Sequence, residues 1–450
     1  MSITRRSFLV TTGLAAFAIP LEALRARLEA GLPALNGIGY GPLRPVKDAT
    51  TGLPLLELPE GFRYLTFGWT GDAMDNGKPT PPLHDGMAAF AGADDKIILV
   101  RNHEVGPAPA FGDGPYDPQG GGGTTTIVFD TKAERVVGMR PSLSGTIRNC
   151  AGGHTPWGSW LTCEESVMGP DAQNPTTKQH GYVFEVPADG TSAAVPLRAM
   201  GCFVHEATAI DPATGIVYET EDRAQAGLYR FVPTTPGRLA DGGKLQMLAI
   251  DGRPRFDTSR GQREGVTYGV HWVDIPEPDR PHIDPAKGDA NGVIAQGAER
   301  GGAVFSRLEG ATFGDGKIFV TATNGGDAGV GQVWELDLKS ERLRLVFESR
   351  DPRVLNMPDN LCLSPRGGLA ICEDGTTIPS MHGLTRGGQI FRFARNNILL
   401  AGERNGITGD FTKRELAGAT YSPDGRWLFF NIQTPGITFA VTGPWADGGL

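Results

Sequence analysis

The chain has 450 residues, with 51 acidic against 42 basic side chains and a formal net charge of -9, a balance that speaks against a nucleic-acid footprint and suits cation binding. Its 64 glycines and 34 prolines exceed what long helices tolerate, and aromatic and β-branched residues fall in short runs between them, so a β-rich globular protein is expected. The length fits two or three average domains or one large all-β body.

The N-terminus, "MSITRRSFLVTTGLAAFAIP", sets Arg5 and Arg6 before Phe8, Leu9 and a short apolar run ending in "AFA". This pattern is that of a twin-arginine export signal with a cleavage site near Ala18. The run is too short to span a bilayer. An amphipathic helix with a chance arginine pair is the alternative. Residues 1–30 are expected to be a signal peptide and short N-terminal segment, with residues 31–450 forming a single domain. The partner implied is the twin-arginine export machinery, and the location periplasmic or secreted, with no stable membrane span.

Next comes "GFRYLTFG" (61–68), a candidate outer strand. A recurring unit then runs to the C-terminus: a strand opening on a polar residue followed by small ones, a turn, a second strand ending in acids or amides, a loop and a third strand. In chain order the copies are "DGMAAFAGADDKIILVRNHE", "CAGGHTPWGSWLTCEES", "EATAIDPATGIVYETED", "EGATFGDGKIFVTATN", "DNLCLSPRGGLAICEDG" and "AGATYSPDGRWLFFNIQ". Six copies predict an all-β fold, a six-bladed β-propeller with long inter-blade loops, in which 61–68 closes the ring against the last blade. A pair of β-sandwiches would leave the repeat unexplained. Segments 107–123, 166–180 and 250–300 are too long and polar for plain turns and are expected as loops over one face or between blades.

Aligning the copies places Asp85, Cys150, Glu206, Glu309, Asp359 and Ala417 at one position, which in a propeller converges on the central channel. Fifteen residues on stand Glu165, Glu221, Asn324 and Asp374, with Asn102 and Glu104 in the looser first copy and Glu164, Asp222 and Glu373 as neighbours. So many carboxylates at one end of a channel repel one another unless cations neutralise them. Oxygen donors suit calcium, while a thiolate among them favours a transition metal such as iron. A single Glu at a strand end is more often a solvated rim residue, and a lone cysteine more often core. Five aligned positions together reverse that reading.

The five cysteines are an odd number for an exported chain, so at least one is unpaired; Cys163, Cys202, Cys362 and Cys372 read as structural. His103, His154 and His205 adjoin proposed ligands, but strand alternation turns them away. Arg307 precedes Glu309 by two residues and Arg148 precedes Cys150 by two, so each pair is expected on one strand face. A guanidinium beside metal ions implies an anion between them, and phosphate matches its planar fork. A structural arginine pairing with carboxylates is the alternative for both, more strongly for Arg148.

The leader together with "NCAGGHTPWGSWLTCEE", "HEATAIDPATGIVYETED", "RLEGATF" and "PDNLCLSPRGGLAICEDG" resembles the PhoX-type alkaline phosphatases, from about residue 60 to the C-terminus. The resemblance implies a six-bladed propeller and an exported phosphomonoesterase using iron and calcium with a bridging oxo group. It implies Cys150, Glu165, Glu206 and Glu309 as metal ligands and Arg307 as the phosphate contact, with Asp359, Asn360, Glu373 and Asp374 as further, calcium-type ligands. The chain departs from the family in its shorter length and in Ala417, where others carry an acid. The expected reaction is attack of a metal-bound oxide or hydroxide on a phosphate monoester, with Cys150 and Glu309 holding metal and Arg307 and Arg148 holding substrate. No G-x-S-x-G elbow or P-loop competes with it. A calcium-dependent lactonase-like propeller and a non-catalytic calcium-stabilised propeller are the rival readings. A monomer is expected.

Overall fold

The computed structural model describes residues 38–171, 174–281 and 292–450, so the twin-arginine segment and the leading residues up to 37 lie outside the described residues. Among the described residues nearly all regular structure is strand, with one short α-helix, Val293–Glu299, and three single turns of 3-10 helix. No helix among them is long and apolar enough to cross a membrane.

The fold is all-β and propeller-like. The strands that open the repeated units are His84–Ala91, Asn149–His154, His205–Ile210, Leu308–Gly314, Pro358–Leu363 and Leu416–Tyr421. Each pairs antiparallel with the strand that follows it, and further strands extend the sheet outward. Each opening strand also packs against the next around a ring, and the last packs against the first. The ring closes through Arg63–Phe67, which pairs with Ile437–Thr442 in the register Phe67↔Thr438 to Arg63↔Thr442. The expected outer strand at 61–68 is therefore present.

The segment 250–300, expected as a loop over one face or between blades, contains regular structure. It carries the strand Thr267–Asp274, which pairs with Gly243–Ile250 on one side and Arg342–Glu348 on the other, and so fuses two strand groups into a nine-stranded sheet. Its sequence, "TYGVHWVD", alternates as a strand does, but the polar residues around it disguise the pattern.

Successive strand side chains face opposite ways, so inward faces of neighbouring sheets meet and the core lies between them rather than on the axis. Between the first and last strand groups, Leu99, Ile127, Phe129 and Phe429 are fully buried with Leu65, Phe67 and Trp427. Each such side chain contributes roughly 1.5–3 kcal/mol relative to exposure.

The opening strands approach so closely that side chains must be small. A Cβ on Gly86 would come 2.6 Å from Ala151 Cα, and one on Gly310 would come 2.6 Å from Asp359 O. Polar side chains of the second strands stitch each unit to the next. Asn102 Nδ2 donates to Cys150 O (2.9 Å), Thr220 Oγ1 to Glu309 O (2.5 Å), Thr321 Oγ1 to Asp359 O (2.6 Å) and Asn431 Nδ2 to Asp85 O (2.5 Å). Four of the aligned channel positions are thus held by their carbonyls from a neighbouring unit.

Candidate metal centre at the channel mouth

Each aligned position is the second residue of its opening strand: Asp85, Cys150, Glu206, Glu309, Asp359 and Ala417. Directly after each, the strand pairing slips, between His84 and Met87, Asn149 and Gly152, His205 and Thr208, Leu308 and Ala311, Pro358 and Leu361, and Ala417 and Thr420. A bulge bends the strand and re-aims the side chain beside it, here six times at one register.

A second ring follows from one repeated backbone hydrogen bond. The amides of Glu104, Glu165, Asp222, Thr323, Asp374 and Gln433 donate to the carbonyls of Leu83, Arg148, Val204, Arg307, Met357 and Glu415, at 2.8 to 3.3 Å. These six residues are equivalent by pairing. The fixed offset of fifteen finds Glu165 and Asp374, but it selects Glu221 and Asn324 where the structure selects Asp222 and Thr323. The reason is that hairpin tips differ in length, "DPATG" in one copy and "GDG" in another, while the pairing at the channel end stays the same.

The carboxylates converge in three groups whose ligand atoms lie within 4.8 Å of one another: Cys150 with Glu165 and Glu206; Glu206 with Glu309 and Asp359; and Asp85 with Glu104 and Glu415. Glu206 belongs to two of them. Glu415 escaped the sequence reading, which inspected only the ring position, where Ala417 stands. Two residues earlier is the register that carries Arg148 and Arg307 in other copies, and Glu415 occupies it. Reading that register across all copies would have found it.

Burial, then the neighbouring carboxylates, push Asp85, Glu206, Glu309 and Glu415 well above the ordinary carboxylate range. The same causes raise Glu165 to about 8, with Glu104 the strongest neighbour, and Asp359 to about 8, with Asp374 the strongest. Burial, then Glu206 and Glu165, raise the Cys150 thiol well above its usual range. Two unit charges about 4.8 Å apart repel by about 3 kcal/mol at an effective dielectric near 20.

Two arginines answer this charge. Arg148 Nη2 lies 2.8 Å from both Glu104 Oε1 and Glu165 Oε2. Arg307 donates from Nε to Asp222 Oδ1 (2.8 Å) and from Nη2 to Asp222 Oδ2 (3.0 Å), and Nη2 also reaches Glu309. Neither arginine lies within a strand. Arg148 and Arg307 sit just before their strands at φ of 49° and 45°, in the left-handed region that non-glycine residues rarely adopt. Arg307 and Glu309 do meet, but through this turn rather than through strand alternation. The contact between them is a direct ion pair.

Two expected ligands are placed elsewhere. Glu373 points away from the channel: its carboxylate accepts from Asn356 N (2.7 Å) and Ser380 N (2.8 Å) and lies 3.0 Å from His382 Nε2. Alternation explains this, since Glu373 and Asp374 are neighbours and only one can face inward. Asp374 lies near enough to Asp359 and Glu415 to raise both. Asn360 faces the opposite way from Asp359. Its Oδ1 accepts from Ala419 N (2.8 Å), and it lines a separate cavity of about 430 Å³ bounded by the later halves of the opening strands.

All five cysteines are free, and Cys163, Cys202 and Cys372 are buried in apolar clusters. The His103 ring is held at Pro82 O and Thr125 Oγ1, both 3.0 Å away, and His205 Nε2 lies 3.1 Å from Gly201 O.

Among the described residues, the cations paired with the acids Asp85, Glu104, Glu165, Glu206, Asp222, Glu309, Asp359, Asp374 and Glu415 are Arg148 and Arg307, so the donor set fits multivalent cations. The family model of alkaline phosphatase PhoX matches residues 38–436. The chain belongs to the PhoX alkaline phosphatase family. The solved structure of Pseudomonas fluorescens PhoX in complex with vanadate, a transition state analogue, is 18% identical at a TM-score of 0.63, covering 92% of this chain and 99% of that one. At that identity the PhoX likeness shows a shared fold. A gluconolactonase of Xanthomonas campestris, XC5397, is 12% identical at a TM-score of 0.41, covering 92% and 99%. No curated protein sequence matches the chain.

Proposed function

We propose that this PhoX-family phosphatase is exported by the twin-arginine route, hydrolyses phosphate monoesters, and holds iron and calcium at the mouth of a six-bladed propeller. The observation that carries the reading is the meeting of Cys150, Glu165, Glu206, Glu309 and Asp359 beside Arg307.

The soft Cys150 thiolate with Glu165 and Glu206 suits iron, and the all-oxygen groups suit calcium. When bound, such ions supply Lewis-acid polarisation of the phosphoryl group and activate water for in-line attack. The chain's own residues do the rest. Asp222 and Glu309 engage Nε and Nη2 of Arg307 and so fix its guanidinium in place, leaving Nη1 as the donor to phosphoryl oxygens without reordering. Arg148, bridging Glu104 and Glu165, has a side chain 46% exposed and presents a second guanidinium at the rim. In this reading the buried carboxylates, Glu309 and Glu206 above all, hold the ions at fixed spacing. The vanadate of the Pseudomonas fluorescens structure supports a phosphoryl-transfer site in the family.

The test is elemental analysis of purified protein, then hydrolysis of 4-nitrophenyl phosphate with and without added calcium. Iron together with calcium-dependent turnover supports the reading. Calcium alone without turnover favours a non-catalytic propeller, and lactone hydrolysis that survives loss of Arg307 favours a lactonase.

A further inference from the structure

Of the three acidic doublets at the channel end, "EE" (164–165), "ED" (221–222) and "ED" (373–374), the first and last divide their labour in one way, while Glu221 accepts from Gly227 N and Tyr229 Oη instead. The second acid faces the channel. The first is buried behind it, Glu164 at 0% and Glu373 at 4% exposure, and touches no candidate metal group.

Both first acids do the same thing. Glu164 accepts from Ile147 N (2.9 Å), Gly181 N (2.9 Å) and Tyr182 N (3.1 Å) and lies 2.6 Å from His180 Nδ1. Glu373 accepts from Asn356 N and Ser380 N, with His382 Nε2 3.0 Å away but outside hydrogen-bond geometry. Ile147 and Asn356 are equivalent, each three residues before a channel ligand, and each precedes a residue in the left-handed region, Arg148 at φ 49° and Met357 at φ 57°. The carbonyls of Arg148 and Met357 in turn accept the amides of Glu165 and Asp374. Each left-handed turn is therefore held at two points: the carboxylate of the first acid takes the amide of the residue before the left-handed one, and the amide of the second acid takes the left-handed residue's own carbonyl. In the fourth copy Ala322 occupies the position of the first acid, so no such carboxylate stands there, while the amides of Arg148, Arg307 and Met357 are all taken alike by carbonyls of the preceding unit, Val105 O (2.9 Å), Arg223 O (2.8 Å) and Val330 O (2.9 Å).

The Glu164 brace extends further. His180 Nε2 lies 3.4 Å from Asp117 Oδ2, and Asp117 accepts from Thr177 N (2.6 Å), Lys178 N (2.9 Å) and Gln119 N (2.9 Å). Two of the long loops expected from the sequence are thereby tied to the strand end that carries Glu165. A buried carboxylate with every lone pair engaged rigidifies what it touches.

We propose that Glu164 and Glu373 are positioning residues for the channel ligands Glu165 and Asp374, each fixing a metal carboxylate by bracing the left-handed turn across from it. The proposal rests on the metal reading of the site and not on the substrate.

Glu164→Gln and Glu373→Gln keep the shape but turn one acceptor oxygen into an N–H donor that faces other donors. The experiment compares melting temperatures of chelator-stripped protein with and without saturating metal, calcium for Glu373→Gln and iron(II) for Glu164→Gln, because Glu165 belongs to the Cys150 group. A merely structural residue lowers both melts alike. A positioning residue shrinks the metal-induced rise, here expected to fall below half of the parent's, with the half-effective metal concentration raised at least tenfold. His180→Gln and His382→Gln replace only the ring beside each brace. They are expected to shift the rise in the same direction by a smaller amount, and they decide the matter if the glutamine variants do not fold. A rise equal to the parent's in the folded variants overturns the proposal alone. A parent with no metal response overturns the metal reading and the proposal with it.

Discussion

Arg307 holds Asp222 with both Nε and Nη2, across the junction between two strand groups, while the same guanidinium reaches Glu309 in its own group. This one side chain sits between two carboxylates that would otherwise repel, and its fork is fixed before any substrate arrives. Replacing it by alanine is expected to lower kcat on 4-nitrophenyl phosphate by roughly 10²–10³-fold, the usual effect of removing one preorganised donor to developing charge. Arg307→Lys keeps the charge but loses the fork, so most of the loss should remain. Steady-state kinetics on metal-loaded protein check both.

The raised carboxylates make the stability of the metal-free protein depend on pH. A carboxyl group whose folded pKa lies above its unfolded value binds more protons when folded, so its stabilising effect is present at low pH and is lost as pH rises from the unfolded value to the folded one. For Glu165 and Asp359 that window runs from about 4 to about 8. Melting temperature in chelator should therefore fall across this range. Saturating calcium should flatten the fall, because the cation takes over the neutralising role of the protons.

Cys150 tests the iron assignment. Cys150→Ser keeps the volume but replaces the soft ligand with a hard, weakly acidic one. Iron content by elemental analysis should fall to near zero, while the Asp85, Glu104 and Glu415 group still takes calcium.

Ring closure has its own test in Tyr64, which is fully buried on the closing strand. Its hydroxyl accepts from Leu55 N (2.8 Å) and Leu56 N (3.1 Å) and donates to Val46 O (2.9 Å). Tyr64→Phe removes these three bonds at a buried position, with Leu55 N keeping only Leu53 O (3.1 Å), at a cost of about 1–3 kcal/mol. Denaturant unfolding measures it, and activity per folded molecule should not change.

The inner wall of the channel was legible because the repeat and strand alternation fix it: Cys150, Glu206, Glu309 and Asp359 fall where one register meets the axis. What stayed hidden depended on geometry that spacing does not encode. Glu221 and Asp222, like Glu373 and Asp374, differ by one residue, and one residue reverses the direction of a strand side chain. Glu415 was masked because the position inspected beside it holds alanine. The strand Thr267–Asp274 lay concealed in a polar stretch because its partners are far away in sequence.

The unequal hairpin tips carry a consequence for change in this protein. Each channel ligand is located by pairing and bulge at the base of its hairpin, so residues added at a tip such as Asp211–Gly215 lengthen an outward finger without moving the ligand. A short peptide tag inserted there should leave the centre intact, and the remote tips are free to diverge in length while the chemistry at the mouth stays in register.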